Sequence, residues 1–122
     1  MKKCIALIPL FVILSMNANA AEKLLHVVSF KFKDSASPEA IKKVEEGFRA
    51  LKEKIPTMVN LEWGTNVSKE NHNKGFTHCF IVTFKNEKDR DGYIVNPDHQ
   101  GFAKSLGRVL EDVFVIDFWA KD

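Results

Sequence analysis

The chain has 122 residues, 45% of them apolar and 28% charged, with a formal net charge of +2. That length holds one domain with a small core rather than several. A charge so near zero, with no basic stripe, excludes nucleic acid as the expected partner.

The first twenty residues, MKKCIALIPLFVILSMNANA, read as a signal peptide. Lys2 and Lys3 form a basic start, Cys4 to Leu14 is an apolar run of eleven, and Ala18-Asn19-Ala20 is a small-x-small cleavage site. The run is shorter than the roughly 20 residues a membrane span needs. The expectation is cleavage after Ala20, export to the periplasm or beyond, and no stable membrane anchor afterwards; a retained anchor is the alternative. Residues 21–122 then form the domain. Without Lys2 and Lys3 they carry sixteen basic and sixteen acidic side chains. Cys79 is left without a partner for an intramolecular disulfide. It sits in an apolar strand pattern and reads as a small buried hydrophobe.

Residues 24–33, LLHVVSFKFK, alternate as a strand. His26, Val28, Phe30 and Phe32 share one face, and Val27, Ser29, Lys31 and Lys33 the other. Ser37 then stands as N-cap, with Pro38 in the first helical position and Glu39 at the positive helix end. Ile41, Val44, Phe48, Leu51 and Ile55 follow at spacings of three and four, one stripe of a helix that Pro56 stops. Lys42, Lys43, Glu45 and Glu46 read as its wet face. Residues 58–68 read as a second strand, less regular, with a possible bulge at Gly64. A polar loop leads to the third and strongest strand, 76–84, FTHCFIVTF. Here His78, Phe80, Val82 and Phe84 share one face, and Cys79, Ile81 and Thr83 the other. Asn86 caps a short helix over 87–95. Asn96-Pro97 restarts the helix, with Phe102, Leu106, Val109 and Leu110 as its apolar stripe. Residues 113–120 are a last strand.

The order β-α-β-β-α-β predicts an α+β, ferredoxin-like fold: a four-stranded antiparallel sheet with both helices on one face. The helices cover only one face: His26, Val28, Phe30, Phe32, His78, Phe80, Val82 and Phe84 cannot all lie under them if Val27, Cys79 and Ile81 do, so a large apolar face is left open. Soluble monomers rarely leave such a face open. A second copy of the same sheet covers it, so the expected assembly is a homodimer, a dimeric α/β barrel.

These segments, LLHVVSFKFKD, LEWGTNVSKEN, GFTHCFIVTF, YIVNPDHQGF and VFVIDF, in this order, resemble the stress-responsive dimeric α/β-barrel (Dabb) family over residues 24–120. The likeness is greatest to plant members that close a linear polyketide by aldol condensation without a cofactor. The resemblance implies that Tyr93 and His99, in a Y-x-x-x-P-x-H arrangement, are the catalytic pair, that no cofactor takes part, and that His26 and His78 match two further histidines of those cyclases. Asn96 departs from their pattern, where another histidine stands. Export also departs from it, so the resemblance does not carry over the substrate.

The chemistry of the residues is compatible with that pair. His99 lies in the first turn of a helix, whose positive end disfavours imidazolium and leaves a neutral imidazole able to accept a proton. A tyrosine hydroxyl can donate to a developing enolate oxygen. From spacing alone the alternative stands that Tyr93 packs in the core while His99 faces solvent. His26 and His78 share parity with Val28, Phe30, Phe80 and Val82, and with adjacent strands they are expected near one end of one sheet face. These six residues are the expected walls of a site for a small apolar molecule. Hydrogen-bonded core histidines are the alternative. No histidine spacing marks a metal site, so no metal is expected. The competing function is a non-enzymatic stress or envelope protein, valued for a stable dimer or for sequestering a ligand. A barrel filled by Phe30, Phe80 and Phe84 would mark that case; an open cavity at Tyr93 and His99 would mark the first.

Overall fold

A computed structural model describes residues 22–122, together with Ala6 and Pro9. Apart from those two residues, the expected signal peptide, with Cys4, therefore lies outside the described residues. Among the described residues no helix is long and apolar enough to cross a membrane.

Seven elements follow in chain order: β1 (Leu24–Phe32), α1 (Pro38–Lys54), β2 (Asn60–Thr65), β3 (His78–Phe84), α2 (Glu87–Val95), α3 (Pro97–Leu106) and β4 (Leu110–Trp119). The strands form one antiparallel sheet in the order β2-β3-β1-β4. This is the ferredoxin-like arrangement read from the sequence. The alternation of β1 decides which face is buried: Leu24, His26, Val28 and Phe30 are buried toward the helices, while the residues between them are only half-buried. α1 starts where Ser37 Oγ accepts from the Ala40 backbone N–H, and it lays Val44, Phe48 and Leu51 on the sheet.

Phe80 is the centre of the core. It is 0% exposed and stacks on Phe48, with ring centroids 4.3 Å apart and planes 5° from parallel. Trp63 stacks on its other side at 5.4 Å, and Phe30 lies at 5.4 Å. α3 comes close to α1 because Gly47 has no side chain: a Cβ there would stand 3.0 Å from the Phe102 ring.

Four details differ from the sequence expectation. Gly64 pairs regularly with Cys79, and the irregularity falls where Lys31 faces Asp112 but Phe32 faces Leu110, leaving Glu111 as the extra residue of a bulge. Val109 and Leu110 are not helical; α3 ends at Leu106 and Leu110 already belongs to β4. Cys79 is half-buried, on the open face of the sheet. Finally, His26 faces Val82 whereas His78 faces Phe30, so the two histidines share a face but lie at opposite ends of it.

The open face is apolar, as expected. Val27, Cys79 and Ile81 lie there with Phe114, Ile116 and Phe118, of which the last three are 55%, 49% and 46% exposed. β4 is an edge strand that is exposed on both faces.

Candidate functional site

A cavity of about 470 Å³ opens between the sheet and the helices. Its walls are apolar: Val28 and Phe30 from β1, Phe48 from α1, Phe102 and Leu106 from α3, and Val115 from β4. His26, Tyr93 and His99 are the polar groups on its inner side. An apolar pocket with a few convergent polar groups is the usual form of a small-molecule site.

The chain brings Tyr93 and His99 together through the Asn96-Pro97 break. Asn96 is both the C-cap of α2 and the N-cap of α3, where its Oδ1 accepts from the Asp98 N–H at 2.9 Å. Pro97 cannot continue the hydrogen bonding of α2 but fits the first position of α3. The chain turns there, and His99 comes back over Tyr93 with ring centroids 4.2 Å apart. Tyr93 is 1% exposed and also packs on His26 at 5.5 Å and Phe84 at 5.2 Å.

The hydrogen bonds decide what each group can do. His99 Nδ1 lies 3.0 Å from the Ile94 carbonyl oxygen. A carbonyl only accepts, so Nδ1 carries the proton and Nε2 of the neutral ring is a free acceptor. Burial lowers the His99 pKa below its ordinary 6.5, and the nearby His26 lowers it further, against the opposing effect of the Ile94 carbonyl. Burial thus favours the neutral imidazole. Tyr93 moves the other way: burial first, and then the negative charge of Asp117, raise its pKa, so the phenol stays protonated as a donor. Its hydroxyl takes part in no hydrogen bond with another described residue, and Tyr93 lines the cavity. Behind the pair, Asp117 Oδ1 accepts from His26 Nδ1 at 2.6 Å, and its Oδ2 accepts from Arg90 Nη1 at 3.2 Å.

A pH dependence follows. A base of this kind works only while His99 is neutral, and its pKa lies below 6.5. A reaction that uses His99 as its base is therefore expected to persist as pH falls to 6.5 and to fail at lower pH, through the lowered pKa. Tyr93 contributes no alkaline limb near the ordinary tyrosine pKa of 10.0. A kcat/KM profile with its acid limb at or above 6.5 contradicts this reading.

Of the six expected wall residues, His26, Val28 and Phe30 line the cavity, whereas His78, Phe80 and Val82 do not. Phe80 and Val82 are wholly buried in the core. His78 has both nitrogens engaged, Nε2 with Glu45 Oε2 at 2.9 Å and Nδ1 with Thr77 Oγ1 at 2.8 Å, and its ring stacks with Trp63. It is a hydrogen-bonded core histidine at the far end of the sheet. It borders a larger cleft of about 720 Å³, beside Phe76, Phe114 and the 66–77 loop. That cleft contains neither member of the Tyr93–His99 pair. Among the described residues no group of three or more His, Cys, Asp or Glu could hold a metal ion.

Asp117, Arg90 and Glu45 were not expected from the sequence. Asp117 had a signal: it is a lone charge in the apolar run VFVIDFW, at the parity of Val113 and Val115. Glu45 had a weaker one, standing four residues after Ile41 and three before Phe48, at the edge of the buried stripe instead of on the wet face. Nothing in the sequence distinguished Arg90.

The model of the stress responsive A/B barrel domain, Dabb, matches residues 24–120. This is a Dabb protein. The Dabb chain is 39% identical over 93 residues to the stress-response A/B barrel domain-containing protein HS1 of Arabidopsis thaliana, covering 76% of this chain and 85% of that one. It is 29% identical over 93 residues to olivetolic acid cyclase of Cannabis sativa, covering 76% and 92%. Its fold superposes on the hydroxynitrile lyase of Passiflora edulis with a TM-score of 0.78 and 25% identity, covering 84% of this chain and 96% of the lyase. Three bacterial structures from Thermobifida fusca, Bacteroides fragilis and Jannaschia share the fold, with TM-scores of 0.65 to 0.71 at 19 to 24% identity, and are themselves dimeric ferredoxin-like proteins.

Proposed function

We propose that this Dabb chain binds a small apolar carbonyl compound in the cavity between sheet and helices and transfers a proton there, with His99 as base and Tyr93 as hydrogen-bond donor. The observation that carries this reading is that His99 Nε2 and the Tyr93 hydroxyl, side by side on one apolar cavity, have no hydrogen-bond partner among the described residues. A base takes a proton next to the carbonyl, or from a hydroxyl on the same carbon, while a donor steadies the oxygen where negative charge builds. Making or breaking a carbon–carbon bond beside a carbonyl needs both. Two relatives whose names state an activity, a cyclase and a hydroxynitrile lyase, support chemistry of this type. Phe30, Phe80 and Phe84 are all buried in the core, yet a cavity with Phe30 in its wall remains beside Tyr93 and His99, which supports this reading over a purely structural barrel.

The working form is a homodimer joined through the open sheet face. Phe114, Ile116 and Phe118 are the support for this, because water would otherwise cover a continuous apolar surface. The dimeric structures of the same fold agree with it. The basic start, apolar run and Ala18-Asn19-Ala20 support export with cleavage after Ala20.

The test is hydrogen exchange in heavy water. The purified protein is expected to exchange the α-protons of an uncharged aryl methyl ketone, followed by proton NMR, faster than buffer does. Exchange at the buffer rate by a protein that binds the ketone refutes the acid–base reading.

A further inference from the structure

His26 is the third polar group on the inner side of the cavity, and the proton transfer proposed for Tyr93 and His99 leaves it without a task. It stands opposite Asp117 in the β1–β4 register, so both side chains rise from the same face of the sheet. Asp117 Oδ1 meets the buried His26 at Nδ1, 2.6 Å away. A carboxylate only accepts, so Nδ1 carries the proton. Arg90 Nη1 donates to the other oxygen, Oδ2, at 3.2 Å, which gives Asp117 a counter-ion of its own. Asp91, the second partner of Arg90, lies mostly in solvent. A neutral His26 suits this arrangement, whereas an imidazolium would add a second positive charge beside the rings of Tyr93 and Phe84. In the neutral ring Nε2 is a bare acceptor, and it has no hydrogen-bond partner among the described residues. The rings of His26, Tyr93 and His99 follow one another with centroids 5.5 and 4.2 Å apart. The cavity thus meets one donor, the Tyr93 hydroxyl, between two acceptors.

We infer that Asp117 is a positioning residue that fixes His26 as an acceptor, and that the site takes a carbonyl compound carrying a free hydroxyl. The carbonyl oxygen accepts from Tyr93, and the hydroxyl donates to His26 Nε2. An ether oxygen in place of that hydroxyl would set lone pair against lone pair and leave Nε2 unpaired once the ligand excludes water. A site built to bond a hydroxyl rejects analogues without one for this reason. The inference rests on the proposed site at Tyr93 and His99 but concerns binding, so it can fail or stand independently of the proton transfer.

The test is calorimetric titration of phenacyl alcohol and of its methyl ether into the mature protein at about pH 8, above the ordinary imidazole pKa. The wild type is expected to bind the alcohol tighter by about tenfold, the order of one hydrogen bond left unmade. Asp117→Asn keeps the shape and changes the polarity. Arg90 still claims the oxygen, so the amide NH₂ faces His26 Nδ1 and the proton moves to Nε2, as happens when Asn replaces the Asp that orients a catalytic histidine. Nε2–H then donates to alcohol and ether alike, and the ratio falls to about one. Nitrogen NMR of the His26 ring reads the same switch, with the proton on Nδ1 in the wild type and on Nε2 in the variant. A merely structural role for Asp117 would weaken both ligands equally and leave the proton where it was. Equal affinities in the wild type overturn the inference, and so does a wild-type His26 protonated on Nε2; neither result depends on the variant folding. A ratio that survives Asp117→Asn also overturns it, as does failure to bind either ligand. If the ratio behaves as expected but no α-proton exchanges, the acid–base reading fails and this inference stands. Exchange without discrimination between alcohol and ether has the reverse meaning.

Discussion

Tyr93→Phe is expected to slow ketone α-proton exchange by about 10²- to 10³-fold, the usual effect of removing one donor to a developing oxyanion. The melting temperature should hardly change. The Tyr93 ring packs on His26, Phe84 and His99, and phenylalanine keeps those contacts. The hydroxyl itself bonds no other described residue, so its loss leaves no protein partner unsatisfied. A change that affects rate and spares stability is the pattern expected of a group kept for a ligand. His99→Ala removes the base and should lower exchange by about 10²- to 10⁴-fold. Unlike Tyr93→Phe, it also empties space beside Tyr93 and releases the Ile94 carbonyl, so a small loss of stability comes with it. Equal exchange in wild type and Tyr93→Phe would remove the tyrosine from the mechanism.

The largest effect on stability is expected far from this pair. Phe80→Ala should destabilise the fold by about 3–5 kcal/mol, as truncation of a fully buried phenylalanine does. Phe80 is 0% exposed and joins both halves of the core: Phe48 of α1 stacks on one face of its ring and Trp63 of β2 on the other. Neither neighbour can move into the gap freely, because Phe48 also supports Phe102 and Trp63 is stacked on His78. Domains of this size have only about 5–15 kcal/mol in total. The melting temperature should drop by roughly 12–40 °C, taking about 4–8 °C for each kcal/mol. The comparison must be made at one protein concentration, since dimerisation adds to apparent stability. A loss below about 1 kcal/mol would mean that the core collapses around the cavity and that the stacked trio is not its keystone.

Much of the fold was legible because local signals agreed. Strict alternation in β1 and β3, the Ser37-Pro38 start of α1 and the doubled Asn-Pro cap between α2 and α3 each act within a few residues. The end of α3 was not legible. Leu110 stands four residues after Leu106 and therefore fits a helix stripe, but it also opens the alternating run of β4. Only the pairing with Phe32 decides between them. The site divides in the same way. Tyr93 and His99 are six residues apart, and the Asn-Pro break that joins them can be read directly. The pairing of His26 with Asp117 depends on β1 and β4 being neighbours in one particular register across 91 residues of sequence. The separation of His26 from His78 depends on the antiparallel register of β1 and β3, which shared parity alone does not reveal. Glu45 reaches His78 only because α1 crosses that end of the sheet. Partners set by tertiary register leave no more than a misplaced charge in the sequence, as Asp117 does among Val113, Val115 and Trp119.

The central claim is that the cavity beside Tyr93 and His99 is where the ligand sits. A crystal structure of the mature protein with 4-methylacetophenone bound tests it most directly. The account predicts the ketone between sheet and helices, its carbonyl oxygen within hydrogen-bond reach of the Tyr93 hydroxyl and its methyl carbon beside His99 Nε2. A ketone bound only in the cleft beside Trp63 and Phe76, or a cavity closed by side chains of a second copy, would contradict it.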